Sequence, residues 1–183
     1  MRVVVAPDTY IIKPKDVTCF LAGGISNCPD WQKEVIERLK LMEKDGTNLE
    51  HLVLFNPRRE NFSICDPNAT NEQIAWEFNH LVIADIFSMY FCNAHSDQPI
   101  CMYELGRNLM AMKQKFPESF AKRIIVSVEQ GYRRAKDVEV QTSLALDRDN
   151  CVNMFATPAA HAESIFFSYS TILVHSAILD ERR

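Results

Sequence analysis

Apolar and polar positions follow one another along the chain in blocks that predict strands and helices in turn. Mostly apolar runs indicate buried strands at residues 17–22, 52–55, 83–91 and 124–128, with a last short strand at 151–155. The segments between them have helical length and spacing, among them a C-terminal helix at 158–178. Residues 138–146 fit either a strand or a short helix, of which the short helix is favoured. Strands that alternate with helices predict an α/β domain whose parallel sheet carries helices on both faces.

The stretch from residue 72 to residue 106 is central to this pattern. It begins as a helix, for which Thr70 and Gln73 have the spacing of a capping box. The apolar face predicted for that helix consists of Ile74, Phe78, Leu81 and Val82. The strand at 83–91 and a polar loop at 92–99 follow, and a second helix begins at about Ile100. Its predicted core stripe consists of Leu105, Leu109, Met112 and Phe116.

Two further elements are predicted in the N-terminal third of the chain, an extension and the first helix. Residues 1–16 form an N-terminal extension whose apolar segments, 3–6 and 10–12, fit either a small hairpin or an edge strand. Pro29 and Asp30 are start signals for the first helix. The face predicted for that helix consists of Trp31, Val35, Leu39 and Met42.

Composition narrows the class of protein. A chain of 183 residues, 47% of them hydrophobic, is most simply one domain with an ample core. The net charge of −4 argues against a nucleic-acid or anionic-membrane partner, and no apolar run approaches the length of a transmembrane helix. The six cysteines show no C-x-x-C spacing, which favours reduced thiols in a cytoplasmic protein.

Three carboxylates fall where this arrangement of elements forms a ligand crevice. Glu77 lies beside the apolar face of its helix, and Asp97 follows the carboxyl end of the strand at 83–91. Glu104 is predicted in the first turn of the next helix, where the helix dipole favours an ionised carboxylate. Each of the three, taken alone, is more often a helix-capping or solubility residue than part of a site.

Glycine and arginine mark two further strand ends. Gly23 and Gly24 follow the first central strand and permit close approach of a ligand, although neither G-x-G-x-x-G nor a P-loop is present. Arg58 and Arg59 follow the next strand, where they could hold a phosphate or pair with Glu60. The polar loop at 60–70 is long enough to border a site. The histidines lack zinc-ligand spacing, so no metal site is expected.

Six segments in a fixed order carry a family resemblance: FLAGG, CPDWQKEV, FNPRRENF, QIAWEFNHLVIADIF, PICMYELG and GYRRAKDVEVQ. Together they resemble the nucleoside 2-deoxyribosyltransferase-like family, and the resemblance runs from about residue 17 to residue 145. The resemblance implies a flavodoxin-like sheet of order 2-1-3-4-5 and cleavage or exchange of the N-glycosidic bond of a nucleoside or nucleotide. It also implies a homo-oligomer that needs no metal or organic cofactor.

The resemblance assigns roles to individual residues. Glu104, in an E-x-G element, takes the place of the family's nucleophile, and Glu77, before Asp85, takes that of its sugar-binding acid. Asp97 takes the place of a second acid, which could protonate the leaving base. The remaining expected pocket residues are Gly23, Gly24, Asn27, Arg58 and Tyr103, of which Tyr103 either orients the nucleophile or only packs.

Two other classes of function remain open at this stage. A sensor would bind a nucleotide in the same crevice without turnover, but it would not need the three carboxylates. A partner-binding protein would use the aromatic residues near the C-terminus, Phe155, Phe166, Phe167 and Tyr169. Because one face of the last helix cannot bury all its aromatic residues, that helix is also predicted to form a subunit interface. The sequence favours the enzyme and leaves base, sugar and acceptor open.

Overall fold

Six parallel strands form one sheet within residues 1–60, 62 and 66–180, the part of the chain that the computed structural model describes. The strands are β1 (Arg2–Val5), β2 (Val17–Gly23), β3 (Leu52–Asn56), β4 (Ile86–Phe91), β5 (Ile124–Val128) and β6 (Val152–Met154). Their order across the sheet is β1-β3-β2-β4-β5-β6. The five strands from β2 onward therefore have the order 2-1-3-4-5, which confirms the predicted flavodoxin-like sheet.

The N-terminal extension contributes the sixth strand. β1 pairs in parallel with β3 along its whole length, from Arg2 opposite Val53 to Val5 opposite Asn56. Residues 10–12 belong to no strand. Of the two interpretations that the sequence left open, the edge strand is correct and the hairpin is wrong.

Five helices cover the two faces of the described sheet. They are α1 (Trp31–Lys44), α2 (Pro67–Ile83), α3 (Pro99–Lys115), α4 (Ala135–Leu146) and α5 (Pro158–Asp180). The start of α1 is as predicted, because the Asp30 side chain accepts a hydrogen bond from the Lys33 backbone N–H. No helix among the described residues is long and apolar enough to cross a membrane.

Side chains alternate along the buried strands and so supply two cores. From β2, Cys19 and Leu21 pack with α1 and α5 on one face of the sheet. Phe20 and Ala22 pack with α2, α3 and α4 on the other. A strand buried on both faces must be apolar at nearly every position, which explains why the sequence pattern located the central strands well.

The start of α2 differs from the prediction. Asp66 caps this helix, its side chain accepting from the Asn68 N–H, and Pro67 occupies the first position. Thr70 lies inside the first turn, where its hydroxyl donates to the Asp66 carbonyl, so the predicted capping box at Thr70 is wrong. An aspartate followed by proline combines two strong start signals and takes precedence over a hydroxyl four residues after the aspartate.

The face that α2 buries also differs from the prediction. Ile74, Phe78 and Val82 are exposed, and Leu81 is the only member of the predicted face that is buried. The helix instead turns Trp76 and His80 toward the sheet, and its other buried residues are Gln73 and Leu81. The Trp76 and His80 rings stack at 3.9 Å, and the Trp76 ring also lies near Phe20 and Phe55. Burial of the larger tryptophan surface outweighs burial of the aliphatic stripe.

The boundary between α2 and β4 differs from the prediction. Residues up to Ile83 remain helical, and β4 begins at Ile86 rather than at residue 83. Asp85 fixes this junction, since its carboxylate accepts from both the backbone N–H and the hydroxyl of Thr18. Part of the predicted loop at 60–70 belongs to α2, and residues 61 and 63–65 lie outside the described residues, so its role at a site stays a prediction.

Candidate functional site

A cavity of about 240 Å³ opens at the carboxyl ends of β2 and β4. The chain leaves these neighbouring strands toward opposite faces of the sheet, and ligands of open α/β sheets bind at this switch point. Residues from five segments line the cavity: Phe20, Ala22, Gly23, Gly24, Ile25, Ser26, Pro57, Glu77, Ser96, Gln98, Pro99, Ile100, Cys101 and Glu104. Its volume is slightly below the ~300–1,000 Å³ of typical small-molecule sites.

The Gly23–Gly24 turn forms one wall of the cavity. Gly23 has a φ of +152°, and a Cβ there would collide with the Tyr90 carbonyl oxygen and the Trp31 ring. The Gly24 carbonyl accepts from Trp31 Nε1 at 3.0 Å and from Arg58 Nη2 at 3.2 Å. The turn therefore requires glycine for close packing and is held by side chains from α1 and from the end of β3.

Arg58 supports this turn and is not among the residues that line the cavity. Its guanidinium donates to the Gln32 side-chain oxygen at 2.9 Å and to the Pro29 carbonyl at 2.8 Å, and lies 3.3 Å from the Asp30 carboxylate. The neighbouring Arg59 pairs with Glu72 at 2.9 Å. With these partners, Arg58 fixes the loop between Gly24 and α1, a role that neither of the sequence-based alternatives included.

Glu104 reaches the cavity from the second turn of α3, because the helix begins at Pro99 and has no acidic residue in its first turn. Burial, reinforced by the negative charge of Glu77, raises the pKa of the Glu104 carboxyl to about 7, while the Arg107 charge opposes the rise. The predicted position in the first turn is therefore wrong, and the helix dipole does not keep this carboxyl fully ionised at neutral pH. Dipole stabilisation fades beyond the first turn, whereas desolvation acts throughout a closed cavity.

Glu77 faces the same cavity from α2. Its carboxylate accepts from Gln73 Nε2 at 2.7 Å, and that amide also donates to the Pro57 carbonyl at 2.7 Å. Burial raises the pKa of Glu77, and the Gln73 hydrogen bond and the Arg59 charge partly offset the rise. Gln73 thus anchors Glu77 to the end of β3.

The structure brings together four of the residues singled out by sequence: Glu77, Glu104, Gly23 and Gly24. Asp97 does not join them, because its exposed carboxylate pairs with Arg133 at 2.7 Å and its carbonyl accepts from the Tyr132 hydroxyl. Asn27 and Tyr103 are also exposed, the latter by 67%. Asp97 therefore contacts neither of the two glutamates, and its catalytic role stays a prediction.

Sequence reasoning missed Gln98, which lines the cavity and is 3% exposed. Its side-chain oxygen accepts from the Gly24 N–H at 3.2 Å, and its side-chain nitrogen donates to the Cys92 carbonyl at 2.7 Å. The available signal was its place between a strand end and Pro99, which starts α3. Among the described residues, no group of three or more His, Cys, Asp or Glu side chains is arranged to hold a metal ion.

A family model described as nucleoside 2-deoxyribosyltransferase like matches residues 16–116, more than half of the chain. The protein belongs to this nucleoside 2-deoxyribosyltransferase-like family. The match runs from the start of β2 to the end of α3, so it contains the glycine turn, Glu77 and Glu104. No curated protein matches the chain. Membership in the deoxyribosyltransferase-like family confirms the resemblance inferred from the sequence, and five of its six segments lie within the matched residues.

Proposed function

We propose that the protein cleaves or exchanges the N-glycosidic bond of a nucleoside or nucleotide, with Glu104 as nucleophile. The observation that carries the proposal is the pair of carboxylates, Glu77 and Glu104, that face one cavity from two different helices. The glycine turn opposite them lets a ligand approach the backbone closely. Family membership supports the same class of reaction.

The chemistry follows from the two carboxylates. Cleavage of an N-glycosidic bond passes through an oxocarbenium-like state, which a carboxylate can stabilise or capture. A Glu104 oxygen would bond to the anomeric carbon while the bond to the base breaks, and the base nitrogen would take the bonding electrons and then a proton from solvent water. Water or a second base would then displace Glu104. Glu77 would bind the sugar hydroxyl groups, since an ionised carboxylate accepts hydrogen bonds.

The raised pKa of Glu104 is compatible with this role when the pH is above about 7, because the nucleophile must be ionised. Below a pH of about 7 the carboxyl is mostly protonated and cannot attack. Above it, the ionised form lies in a partly desolvated cavity, where a negative charge stabilises a developing positive charge strongly. The cavity thus provides a carboxylate that is costly to ionise in the free protein and more favourable beside an oxocarbenium ion.

The test is a panel of nucleosides and nucleotides, incubated with and without a free acceptor base and analysed by chromatography. We expect release of free base or formation of an exchanged nucleoside by the wild type, and at least a 10³-fold loss of kcat in Glu104→Gln with affinity retained, as for loss of a catalytic group. Near-normal turnover by Glu104→Gln would reject the nucleophile. Tight binding without turnover by the wild type would instead favour a nucleotide sensor.

We also propose that two copies associate through the outer surfaces of α2 and α3. Large apolar side chains are exposed there on both helices: Ile74, Phe78, Val82, Ile100, Tyr103 and Met110. Arg107 connects the two rows, its guanidinium lying 5.0 Å from the Phe78 ring centre and 6.0 Å from that of Tyr103. A large exposed apolar surface of this kind is typical of a protein–protein interface.

We call this surface the α2–α3 face, and we infer that a second copy of the chain binds to it. Ile100 belongs both to it and to the cavity lining, so a copy seated there would narrow the mouth of the cavity. Closure of this kind excludes water from a reactive sugar.

The five cysteines among the described residues are free thiols, which supports our further proposal of a reducing, cytoplasmic location.

A further inference from the structure

Gln98 connects the two walls of the cavity through a single buried carboxamide. One wall is the Gly23–Gly24 turn after β2, and the other is the start of α3, the helix that carries Glu104. The side-chain oxygen of Gln98 accepts from the Gly24 N–H at 3.2 Å. The side-chain nitrogen donates to the carbonyl of Cys92, at the end of β4, at 2.7 Å.

The backbone of Gln98 also helps to hold the start of α3 in place. Its φ of +51° lies in the left-handed region, which disfavours a side chain with a Cβ and is maintained only where surrounding contacts impose it. Its N–H donates to the Ser96 hydroxyl, and its carbonyl accepts from Met102 in the first turn of α3. A displacement of this residue would therefore move the start of the helix.

No other side chain of the described residues makes this connection to the Gly24 N–H. Trp31 and Arg58 hold the opposite side of the same residue, the Gly24 carbonyl, and they belong to α1 and to the end of β3. A Cβ on Gly24 would lie 2.6 Å from the Gln98 side-chain oxygen, so the contact is tight. The turn is thus fixed to α1 by its carbonyl and to the start of α3 by its N–H.

We propose that Gln98 is a positioning residue for the reaction: its carboxamide holds the start of α3, and with it Glu104, against the glycine turn. The expected effect of Gln98 on kcat rests on the proposed function. Its expected effect on the position and titration of Glu104 does not. A nucleophile in a glycosidic transfer must lie within about 3–3.5 Å of the anomeric carbon, and a displacement of 1 Å can lower the rate by roughly 10²-fold. Gln98 acts through Glu104 and the turn rather than on the substrate's reacting atoms.

The test compares Gln98→Met with Ser127→Ala. Methionine has nearly the same shape but cannot form either hydrogen bond. Ser127 is also fully buried and bonded, to His161 at 2.7 Å, but it lies on β5 away from the cavity, so its loss controls for reduced stability alone. Both variants should melt at a lower temperature than the wild type. The second measurement is the titration midpoint of the Glu104 carboxyl, followed by carbon NMR.

We expect kcat to fall roughly 10- to 100-fold in Gln98→Met with KM little changed, because positioning acts mainly on the chemical step. Loosening of the wall admits water, so the Glu104 midpoint should fall from about 7 toward the ordinary range of a glutamate. Ser127→Ala should change neither quantity. If Gln98→Met does not fold, Gln98→Asn retains the amide but is too short to reach both partners, and it should give the same two changes.

A Gln98 variant whose kcat and Glu104 midpoint equal those of Ser127→Ala would overturn the inference. If the wild type turns over no member of the substrate panel, the proposed function fails, and the midpoint alone then decides whether Gln98 positions Glu104. An unchanged midpoint in that case rejects the positioning role, and a lowered one supports it. The two claims can therefore fail separately.

Discussion

Glu77 and Glu104 come from different helices and line the same cavity, and the charge of Glu77 helps to raise the pKa of Glu104 to about 7. Burial is the larger cause of this rise, and Glu77 adds to it. Burial also raises the pKa of Glu77 itself. Two carboxyl groups in one partly closed cavity resist simultaneous ionisation, so the site is sensitive to pH near neutrality.

The first prediction concerns activity. If Glu104 is the nucleophile, as proposed, and must be ionised to attack, kcat/KM should rise with pH, reach half its limit near pH 7 and level off above it. Glu77→Gln removes the neighbouring negative charge and should move this rise to lower pH, even though loss of the proposed sugar contact should lower the limiting value. The measurement is the pH profile of kcat/KM for both proteins. A rise at the same pH in both would contradict the coupling.

The second prediction concerns stability. The pKa of Glu104 is higher in the folded chain than the ordinary value of about 4.5, so the folded state binds its proton more tightly than the unfolded state does. The stability that this group contributes is present below pH 4.5 and is lost as the pH rises through 7. Glu104→Gln cannot ionise, so it should raise the free energy of unfolding at pH 8 by on the order of 2 kcal/mol.

Urea denaturation of the wild type and Glu104→Gln at pH 5 and pH 8 checks this prediction. The difference between the two proteins should be several-fold smaller at pH 5, where most of the wild-type side chain is already neutral in the folded state. An equal difference at both values would mean that packing, and not ionisation, separates the two proteins. This measurement requires no substrate and is independent of the proposed function.

The sequence predicted the sheet well because β2 and β4 are buried on both faces and must be apolar throughout. It predicted the face of α2 wrongly because Ile74, Phe78 and Val82 form a regular helical stripe that is exposed in the structure. Periodicity shows that a stripe exists but not which surface covers it. A second apolar stripe, containing Trp76, competes for the sheet and fills the core.

The same limit applies to the site. Glu77, Glu104 and the glycine pair were found because helix position and strand ends are properties of the local sequence. The raised pKa of Glu104 and the contacts of Gln98 depend on residues that are distant in the chain, which no local pattern records. Asp97 shows the converse: it follows a strand end as expected, but its carboxylate pairs with Arg133.

The third prediction separates Asp97 from the two glutamates. Its exposed carboxylate pairs with an exposed arginine, an interaction that contributes little to stability. Asp97→Asn should therefore keep kcat/KM within about threefold of the wild type, whereas a catalytic acid typically contributes 10²–10⁴-fold. Steady-state kinetics on the substrate found in the panel provides the measurement. A loss of 10²-fold or more would restore the catalytic role that the sequence assigned to Asp97.

The last prediction concerns the proposed subunit interface, which the sequence analysis expected on the C-terminal helix and which we propose on the α2–α3 face. The sequence favoured the C-terminal helix, but Ile165, Tyr169 and Ile172 of α5 are buried against the sheet and α1. Phe167 is exposed by 68% on α5, and Phe78 by 50% on the α2–α3 face. These two phenylalanines therefore allow a matched comparison.

Phe78→Lys places a positive charge beside Arg107, whose guanidinium lies over the Phe78 ring in the wild type. A desolvated pair of like charges at the centre of an interface costs several kcal/mol, so this variant should be a monomer at concentrations where the wild type is a dimer. Phe167→Lys should leave the dimer intact. Light scattering across a micromolar dilution series distinguishes the outcomes. Dissociation by Phe167→Lys alone would place the interface on α5, and a wild type that is already a monomer would remove the α2–α3 interface altogether.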